Sequence, residues 1–564
     1  MGLGIAERTV LAGPDEVSVS TTAQAASPVV VVDGSALNAY PHSQNVQLSG
    51  STRTFAAYGR TSDVLAWVGN STYTQVSFDA KTGKLVSRQH VGGSIKVPNP
   101  SGSDLWLGQY TGANARDFHL KVPGNISVLA VSDGTAPAPS TVKVTWPIDN
   151  STPWSGPLLI GGGGVLLLGL ILLLWAFLHL RRGRGPRRTQ PKMPRLPRQP
   201  RYKPSRAKAI DAAKGRRSIR RAVAVLPAVT IASLALAGCG ILPVTPVATP
   251  TSTTKPAASS ELPPTAVTPV QLQHILAEVS TVVAKADTTL DTKLVATRVS
   301  GPALQERDAN YAIRKVSATA VAPAAAIPAG TIKVNLPEAS ARWPRAVFAV
   351  VESSTAKTTA PLALMLVQDT PRSNYKVNYS IALQPKTQLP KVASASVGAT
   401  RISPIFKLLK LQPGDLAAAY GDILLKDTAS PSYPLFQSKD DAFRVQVGLA
   451  AKNAAIAKLP TTATLTYSDA VGTGQVIAFA TNDSGAIVAV NLDEIQTVKP
   501  VKAGALVTAP PGAVQSLLGK ANSTTGLAAT YGDQLLFYVP GVGKAGKIVL
   551  LGYSQGLISA SEVR

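Results

Sequence analysis

Two uncharged apolar runs lie on either side of a strongly basic segment, and this arrangement constrains the chain more than any other feature. Residues 158–178 contain no charge over 21 positions, and residues 222–238 contain none over 17. Between them, residues 181–221 carry 17 Lys and Arg residues and a single acidic residue. Basic loops stay on the cytoplasmic side of a membrane, so the pattern predicts a cytoplasmic segment. The protein is therefore expected in a cell membrane, with residues 1–156 and 242–564 on its extracytoplasmic side.

The first apolar run predicts a transmembrane helix at residues 157–180. At 1.5 Å per residue, its uncharged stretch covers about 30 Å, the thickness of a hydrocarbon core. The alternative is a buried core helix, which the length of the run and the basic residues 181–188 directly after it disfavour.

The second run, within residues 222–241, has two interpretations. It is short for a span, and it ends in Leu236, Ala237 and Gly238, followed by Cys239, the one cysteine of the chain. A basic stretch, a short apolar core and small residues before a cysteine resemble a bacterial lipoprotein signal. This resemblance implies cleavage before Cys239 and lipidation of that cysteine. The alternative is a second transmembrane helix.

The start of the chain does not look like an export signal. MGLGIAERTVLAG is short and contains Glu7, whereas an exported first region needs a longer apolar segment. We therefore expect that the true start lies upstream of Met1.

Residues 1–156 are predicted to form an antiparallel β-sandwich. Short β-branched and aromatic runs recur between turn signals, among them residues 28–34, 63–69 and 141–146. Residues 81–83, Lys-Thr-Gly, mark a hairpin between two alternating strands. No helical periodicity of useful length is evident.

The end of this region carries a resemblance. The stretch VLAVSDGTAPAPSTVKVTWPIDNSTPW, which runs into the first apolar segment and its basic stop, resembles uncharacterised membrane proteins of actinobacteria. The resemblance extends over residues 5–185, and the Ala-, Val- and Thr-rich composition agrees with such a source. It implies no particular activity.

The basic segment, residues 181–221, is predicted to be a disordered loop because its prolines and like charges oppose compact structure. One interpretation is contact with anionic lipid headgroups, and the other is a topology determinant alone. Nucleic acid is not an expected partner, because Tyr202 is the only aromatic residue available for stacking on bases.

The remainder of the chain is predicted to be α+β. Residues 242–268 form a Pro/Thr-rich linker, and Thr268 with Gln271 makes a capping-box pattern at the start of a helix. Two series of helices followed by strands predict α+β units at residues 269–400 and 401–564. This order of elements resembles tandem domains of the nuclear-transport-factor-2-like or cystatin-like kind. Such folds can enclose an apolar pocket between helix and sheet.

Two short motifs suggest chemistry. Residues 552–556 match G-x-S-x-G around Ser554 and look like the nucleophile elbow of cutinase-type hydrolases. That chemistry needs a later acid and histidine, and no histidine follows Ser554, so a strand and a tight turn are predicted instead. Residues 541–547 resemble a phosphate-binding loop but are followed by Ile548, where Ser or Thr is required. They predict a glycine-rich hairpin.

No metal or cofactor is expected, because none of the five histidines lies at ligand spacing from another. Asp441, at a predicted helix start, is interpreted as a cap. The sequence thus predicts a multi-domain, non-catalytic, membrane-anchored protein of the cell envelope that binds a protein partner or a cell-wall component. The alternatives are a ligand- or lipid-carrying α+β module and a serine hydrolase using Ser554.

Overall fold

The computed structural model describes residues 5–6, 14–23, 27–134, 136–148, 155–182, 262–353, 360–502 and 504–563. The chain divides into two compact units, one of residues 1–11 and 152–259 and the other of residues 12–151 and 260–564. Most of the basic loop, the second apolar run with Cys239 and its preceding residues Leu236, Ala237 and Gly238, and most of the linker lie outside the described residues.

Residues 14–148, here called the β region, are rich in strands, as the sequence predicts. The elements are β1 (Glu16–Thr22), β2 (Val29–Val32), α1 (Gly34–Leu37), β3 (Gln44–Arg60), α2 (Thr61–Val68), β4 (Tyr73–Asp79), β5 (Lys84–His90), β6 (Gly108–Leu120), β7 (Ile126–Val131) and β8 (Thr141–Pro147). The strands make one sheet in the order β1-β8-β3-β7-β2-β4-β5, with β6 also paired to β3. One sheet replaces the two expected of a sandwich because β3 is long and irregular between Ser49 and Arg53, and it pairs with both β8 and β7.

Two further details differ from the expectation. Strands β2 and β4 are parallel, so the sheet is mixed. The stretch 63–69, predicted as a strand, instead forms most of helix α2 and its C-cap Gly69, and Val64, Trp67 and Val68 of the helix are buried. These residues recur at the i, i+3 and i+4 positions of one helical face, which competes with their β propensity. The hairpin predicted at residues 81–83 is confirmed, since β4 and β5 pair across it.

Helix α3 (Ser155–Arg182) belongs to the other unit. It is 28 residues long, and by length and composition it can cross a membrane. It contains the whole of the predicted apolar run 158–178.

Residues 262–563, here called the C-terminal region, combine helices with antiparallel strands. The helices are α4 (Pro269–Thr289), α5 (Thr292–Val295), α6 (Gly301–Val316), α7 (Leu416–Lys426), α8 (Ala442–Val447), α9 (Leu449–Ala457) and α10 (Ala513–Leu518). The strands are β9 (Thr331–Pro337), β10 (Arg345–Glu352), β11 (Leu362–Gln368), β12 (Lys376–Leu383), β13 (Arg401–Ile402), β14 (Ala463–Val471), β15 (Ile477–Ala480), β16 (Ala486–Pro500), β17 (Val507–Thr508), β18 (Asn522–Ser523), β19 (Leu527–Val539) and β20 (Val549–Glu562). Thr268 and Gln271 form the predicted capping box, and Asp441 caps α8 by accepting from the Arg444 N–H.

The two helix-and-strand series share one ten-stranded sheet, a join that the sequence did not predict. Strand β20 pairs with β12 at Ala382–Tyr553 and Leu383–Gly552, which links β9–β12 to the strands of the second series. A single apolar cluster also crosses the join: Phe348 and Tyr379 from the first series lie in the same core as Phe479 from the second. The C-terminal region is therefore one continuous structure.

Candidate functional site

Helix α2 of the β region is held at both ends by arginines of the C-terminal region. At its start, Arg345 Nη2 donates to Asp63 Oδ1 at 2.7 Å. The Arg345 side chain is 0% exposed and that of Asp63 is 3% exposed. Asp63 lies in the first turn of α2, where a carboxylate also interacts favourably with the helix dipole. The pair is a charge-assisted hydrogen bond that is buried away from water. It joins two residues that are 282 positions apart in the sequence.

The surroundings of Arg345 fix its direction. The guanidinium lies 3.6 Å from the centre of the Trp343 ring, and Nη2 also donates to the carbonyl of Ala341. Trp343 itself packs against the apolar cluster of the β region that contains Trp67 and Trp106. Stacking and ion pairing thus place one residue pair, Trp343 and Arg345, across the junction.

The last turn of α2 is capped from the same side. Arg372 Nε donates to the Trp67 carbonyl at 2.8 Å, and its Nη2 donates to the Val68 carbonyl at 2.9 Å. These carbonyls belong to the last turn of the helix, where a cation is favoured by the dipole. The same Nη2 reaches the Ser71 hydroxyl at 3.0 Å.

A second buried ion pair involves Asp104, on the loop before β6, and Arg298 of the C-terminal region. Arg298 Nη1 bonds Asp104 Oδ2 at 2.7 Å, with the two side chains 7% and 5% exposed. The same oxygen accepts from the Tyr375 N–H at 2.7 Å. Burial raises the pKa of Asp104, and the nearby Arg298 charge opposes this rise. Asp104 is therefore satisfied as an anion only while the C-terminal region is in place.

Neutral hydrogen bonds continue the same junction. Gln271, besides closing the capping box of α4, donates to the Leu105 carbonyl at 3.0 Å. Asn374 Oδ1 accepts from the Asp104 N–H at 3.2 Å, and Asn374 Nδ2 donates to the Gly102 carbonyl at 3.1 Å. The junction, which we call the Arg345 interface, consists of Asp63, Asp104, Arg298, Trp343, Arg345 and Arg372 together with these bonds. It is the strongest candidate for a functional site, because buried charges specify one partner surface.

The Arg345 interface should hold the two regions together without a covalent link. A protease site placed within residues 242–261 of the full chain allows the linker to be cut after purification in detergent. The two fragments should then co-elute in size-exclusion chromatography. Arg345→Met leaves the Asp63 carboxylate buried and unpaired, which costs about 3–5 kcal/mol, or at least about a hundredfold in dissociation constant.

Lys333→Met is the matched control. Its ammonium pairs with Glu352 at 3.1 Å, but both side chains are about half exposed, so removal should cost at most about 1 kcal/mol. The double variant Asp63→Leu, Arg345→Met should recover much of the lost affinity because no charge stays buried. Separation of the cut wild-type fragments, or equal effects of Arg345→Met and Lys333→Met, would contradict the assignment.

An apolar groove lies beside the outer part of the C-terminal sheet. It has a volume of about 410 Å³, within the range of small-molecule sites. Its walls include Leu459, Val498, Leu506, Leu527 and Ala529, and Gln496 and Tyr531 supply polar groups. Burial raises the pKa of Tyr531, so its hydroxyl stays protonated as a hydrogen-bond donor.

Several ionisable side chains are buried under α7 and α9. Lys452 and Glu494 form an ion pair with side chains 4% and 2% exposed. Asp469, opposite Glu494 in the β14–β16 ladder, has its pKa raised to about 7, first by burial. The neighbouring Asp533 is fully buried, and burial raises its pKa too. Because these groups are buried beneath helices, their protonation should affect how the free energy of unfolding depends on pH.

Replacement of Asp469 should change how stability depends on pH. The folded-state pKa lies above the unfolded value of about 4, so the folded chain holds the proton more tightly. Its contribution is present below about pH 4 and is lost as pH rises through about 7. Denaturant unfolding at a series of pH values should show a shallower decline over this window for Asp469→Asn than for wild type. Asp369→Asn, at an exposed carboxylate, is the control; an identical decline in wild type and Asp469→Asn would refute the assignment.

The structure places the other sequence candidates apart from these sites. Ser554 lies in the middle of β20, opposite Gln534, and its hydroxyl accepts from the Ala382 N–H at 3.2 Å. The strand–turn–helix geometry of a nucleophile elbow is therefore not formed there. The predicted strand is present, but the predicted tight turn is wrong, because the strand runs on to Glu562. Residues 541–547 connect the antiparallel strands β19 and β20, which confirms the glycine-rich hairpin. Among the described residues, no three His, Cys, Asp or Glu side chains group so as to hold a metal ion.

Sequence reasoning missed the Arg345 interface. Asp63 and Arg345 each stand at the start of an apolar run, DVLAWV and RAVFAVV. A charge beside a buried run is the one signal available, since such a group needs a partner when the run is buried. The partner cannot be read from either run.

These features define a class: a protein with a helix able to cross a membrane, a β region, and a large helix-and-sheet region docked on it through buried ion pairs. Residues 263–562, more than half of the chain, match the family model described as Domain of unknown function (DUF8094). The chain belongs to this family. Comparison with curated proteins and with solved structures finds no match.

Proposed function

We propose that the chain is a non-catalytic, membrane-anchored protein of the cell envelope. In this proposal the β region and the C-terminal region are both exported and act as one binding body, which recognises a protein partner or a cell-wall component. The observation that carries the proposal is the Arg345 interface, which joins the C-terminal region to the β region through two buried ion pairs.

The interface bears on topology. Two regions joined by buried Arg345–Asp63 and Arg298–Asp104 pairs must lie on the same side of a membrane. If α3 crosses the bilayer once, the chain must return to that side before residue 262. The uncharged run 222–238 supplies a segment for the return, and the +16 charge of residues 181–221 favours the cytoplasm between the crossings.

The return can occur in either of the two ways that the sequence allows. A second span keeps one continuous chain, whereas a bacterial lipoprotein signal leads to cleavage before Cys239 and acylation of that cysteine. In the second case the Arg345 interface supplies the attachment that the peptide bond no longer provides. The basic segment 181–221 contributes anionic lipid contact in both cases.

Cysteine accessibility tests the topology. In a Cys239→Ala background, single cysteines are introduced at Val91 in the β region, at Val445 in the C-terminal region and at Lys192 in the basic segment. Val91 and Val445 are 85% and 80% exposed, so an impermeant maleimide should label both in intact spheroplasts. Lys192→Cys should react only after lysis. Labelling of Lys192→Cys in intact spheroplasts, or protection of Val445→Cys, would rule the proposal out.

A ligand- or lipid-carrying role is the second candidate, favoured by the apolar groove beside Tyr531. Its walls are largely aliphatic, and its few polar groups could orient one headgroup. Ala529, 9% exposed, lines the groove, and a larger side chain there would fill it.

A fluorescent fatty-acid analogue provides the probe for this second role. The full chain in detergent should bind it saturably, and Ala529→Trp should weaken binding at least about tenfold because the indole occupies the groove. Val471→Trp, at a residue 56% exposed and outside the groove, should bind as wild type does. Equal affinity in the two variants would exclude the groove as the binding site.

A further inference from the structure

Four large apolar side chains are exposed together on two adjoining loops of the C-terminal region. Ile405, Leu408 and Val542 are 75%, 67% and 61% exposed, and Phe406 is 36% exposed. Lysines accompany them on both loops, at positions 407, 410, 544 and 547. We call this surface the apolar–lysine patch.

The patch is held in place by the backbone. The Val542 N–H donates to the Leu408 carbonyl at 2.9 Å, and the Lys410 N–H donates to the Pro540 carbonyl at 2.9 Å. Leu409, between Leu408 and Lys410 in sequence, points inward, where it is 3% exposed and belongs to the core. The Lys410 ammonium also bonds the Gly546 carbonyl across the two loops. The apolar side chains are therefore presented outward on a braced surface.

The charge of the patch has one sign. Residues 402–412 and 540–550 contain four lysines and no acidic residue. Asp415 follows the first of these loops along the chain. The hydroxyl of Tyr538, just before the second loop, donates to Asp483 at 2.6 Å. Apolar side chains surrounded by lysines are the composition with which peripheral segments enter the headgroup layer of anionic bilayers.

We propose that the apolar–lysine patch docks on an anionic lipid surface. The four apolar side chains enter the boundary between headgroups and acyl chains, and the lysines bind the lipid phosphates and anionic headgroups. A protein partner would need acidic groups around an apolar pocket. An anionic bilayer already has charged headgroups at its surface and acyl chains beneath them.

The proposed membrane anchor favours this occupant. Only seven residues separate the end of β8 from the start of α3, and the C-terminal region is docked on the β region. An anchored chain keeps the patch at high effective concentration near lipid, so weak individual contacts suffice. The inference thus rests on the proposed anchoring through α3.

Lipid quenching in nanodiscs tests the contact on the full chain. In a Cys239→Ala background, Ile405→Cys and the control Val471→Cys carry the same environment-sensitive fluorophore. With brominated phosphatidylglycerol in the disc, the label at position 405 should lose fluorescence, and the label at position 471 should not. A chain that is not anchored would fail to incorporate into the disc, before any quenching is measured.

A second set of measurements tests whether docking depends on the lysine charges. Lys407→Gln with Lys544→Gln should reduce quenching at position 405, and so should raised salt, because both weaken attraction to anionic headgroups. Unchanged melting temperatures would show that these exposed substitutions leave the fold intact. Absence of quenching at position 405 would overturn the proposal, and so would equal quenching in neutral and anionic discs.

Discussion

The buried ion pair between Asp63 and Arg345 is the contact on which the arrangement of the β region and the C-terminal region depends. A guanidinium with no exposed surface has lost its hydration, so its carboxylate partner must be present whenever the protein is folded. This carboxylate, Asp63, lies in the first turn of helix α2, and Arg372 caps the other end of the same helix. The C-terminal region therefore contacts both ends of one short helix, and the Asp104–Arg298 pair adds a second buried ion pair to the junction.

Contacts between distant parts of the chain also hold together the interior of the C-terminal region. Its two helix-and-strand series have separate helical layers, and a shared sheet and a shared apolar cluster join them. One continuous structure results, which carries a groove, a buried ionisable cluster and an exposed lysine-flanked loop pair. The proposed binding role rests on this continuous structure, and Ser554 lies within one of its strands.

If α3 crosses a membrane, contact between the regions before and after it in the sequence links fold to topology. Local sequence signals such as loop charge favour an orientation. A buried interface adds a separate requirement, because the two surfaces must meet in one compartment. The proposed return of the chain, by a second span or through a lipidated Cys239, and the proposed lipid-docking patch would both keep one body beside one face of a bilayer.

Much of the secondary structure could be predicted from periodicity and turn residues, including the apolar helix, the capping box at Thr268, the cap at Asp441 and the hairpins at residues 81–83 and 541–547. Helix α2 was misassigned because its β-branched and aromatic residues suit a strand, and only burial of one face selects the helix. The sequence by itself determined where the chain is apolar, basic or extended, since these are properties of neighbouring residues. Only the tertiary structure decided that Arg345 meets Asp63 and that β20 joins β12, because a buried charge or a strand edge specifies that it needs a partner but not which one.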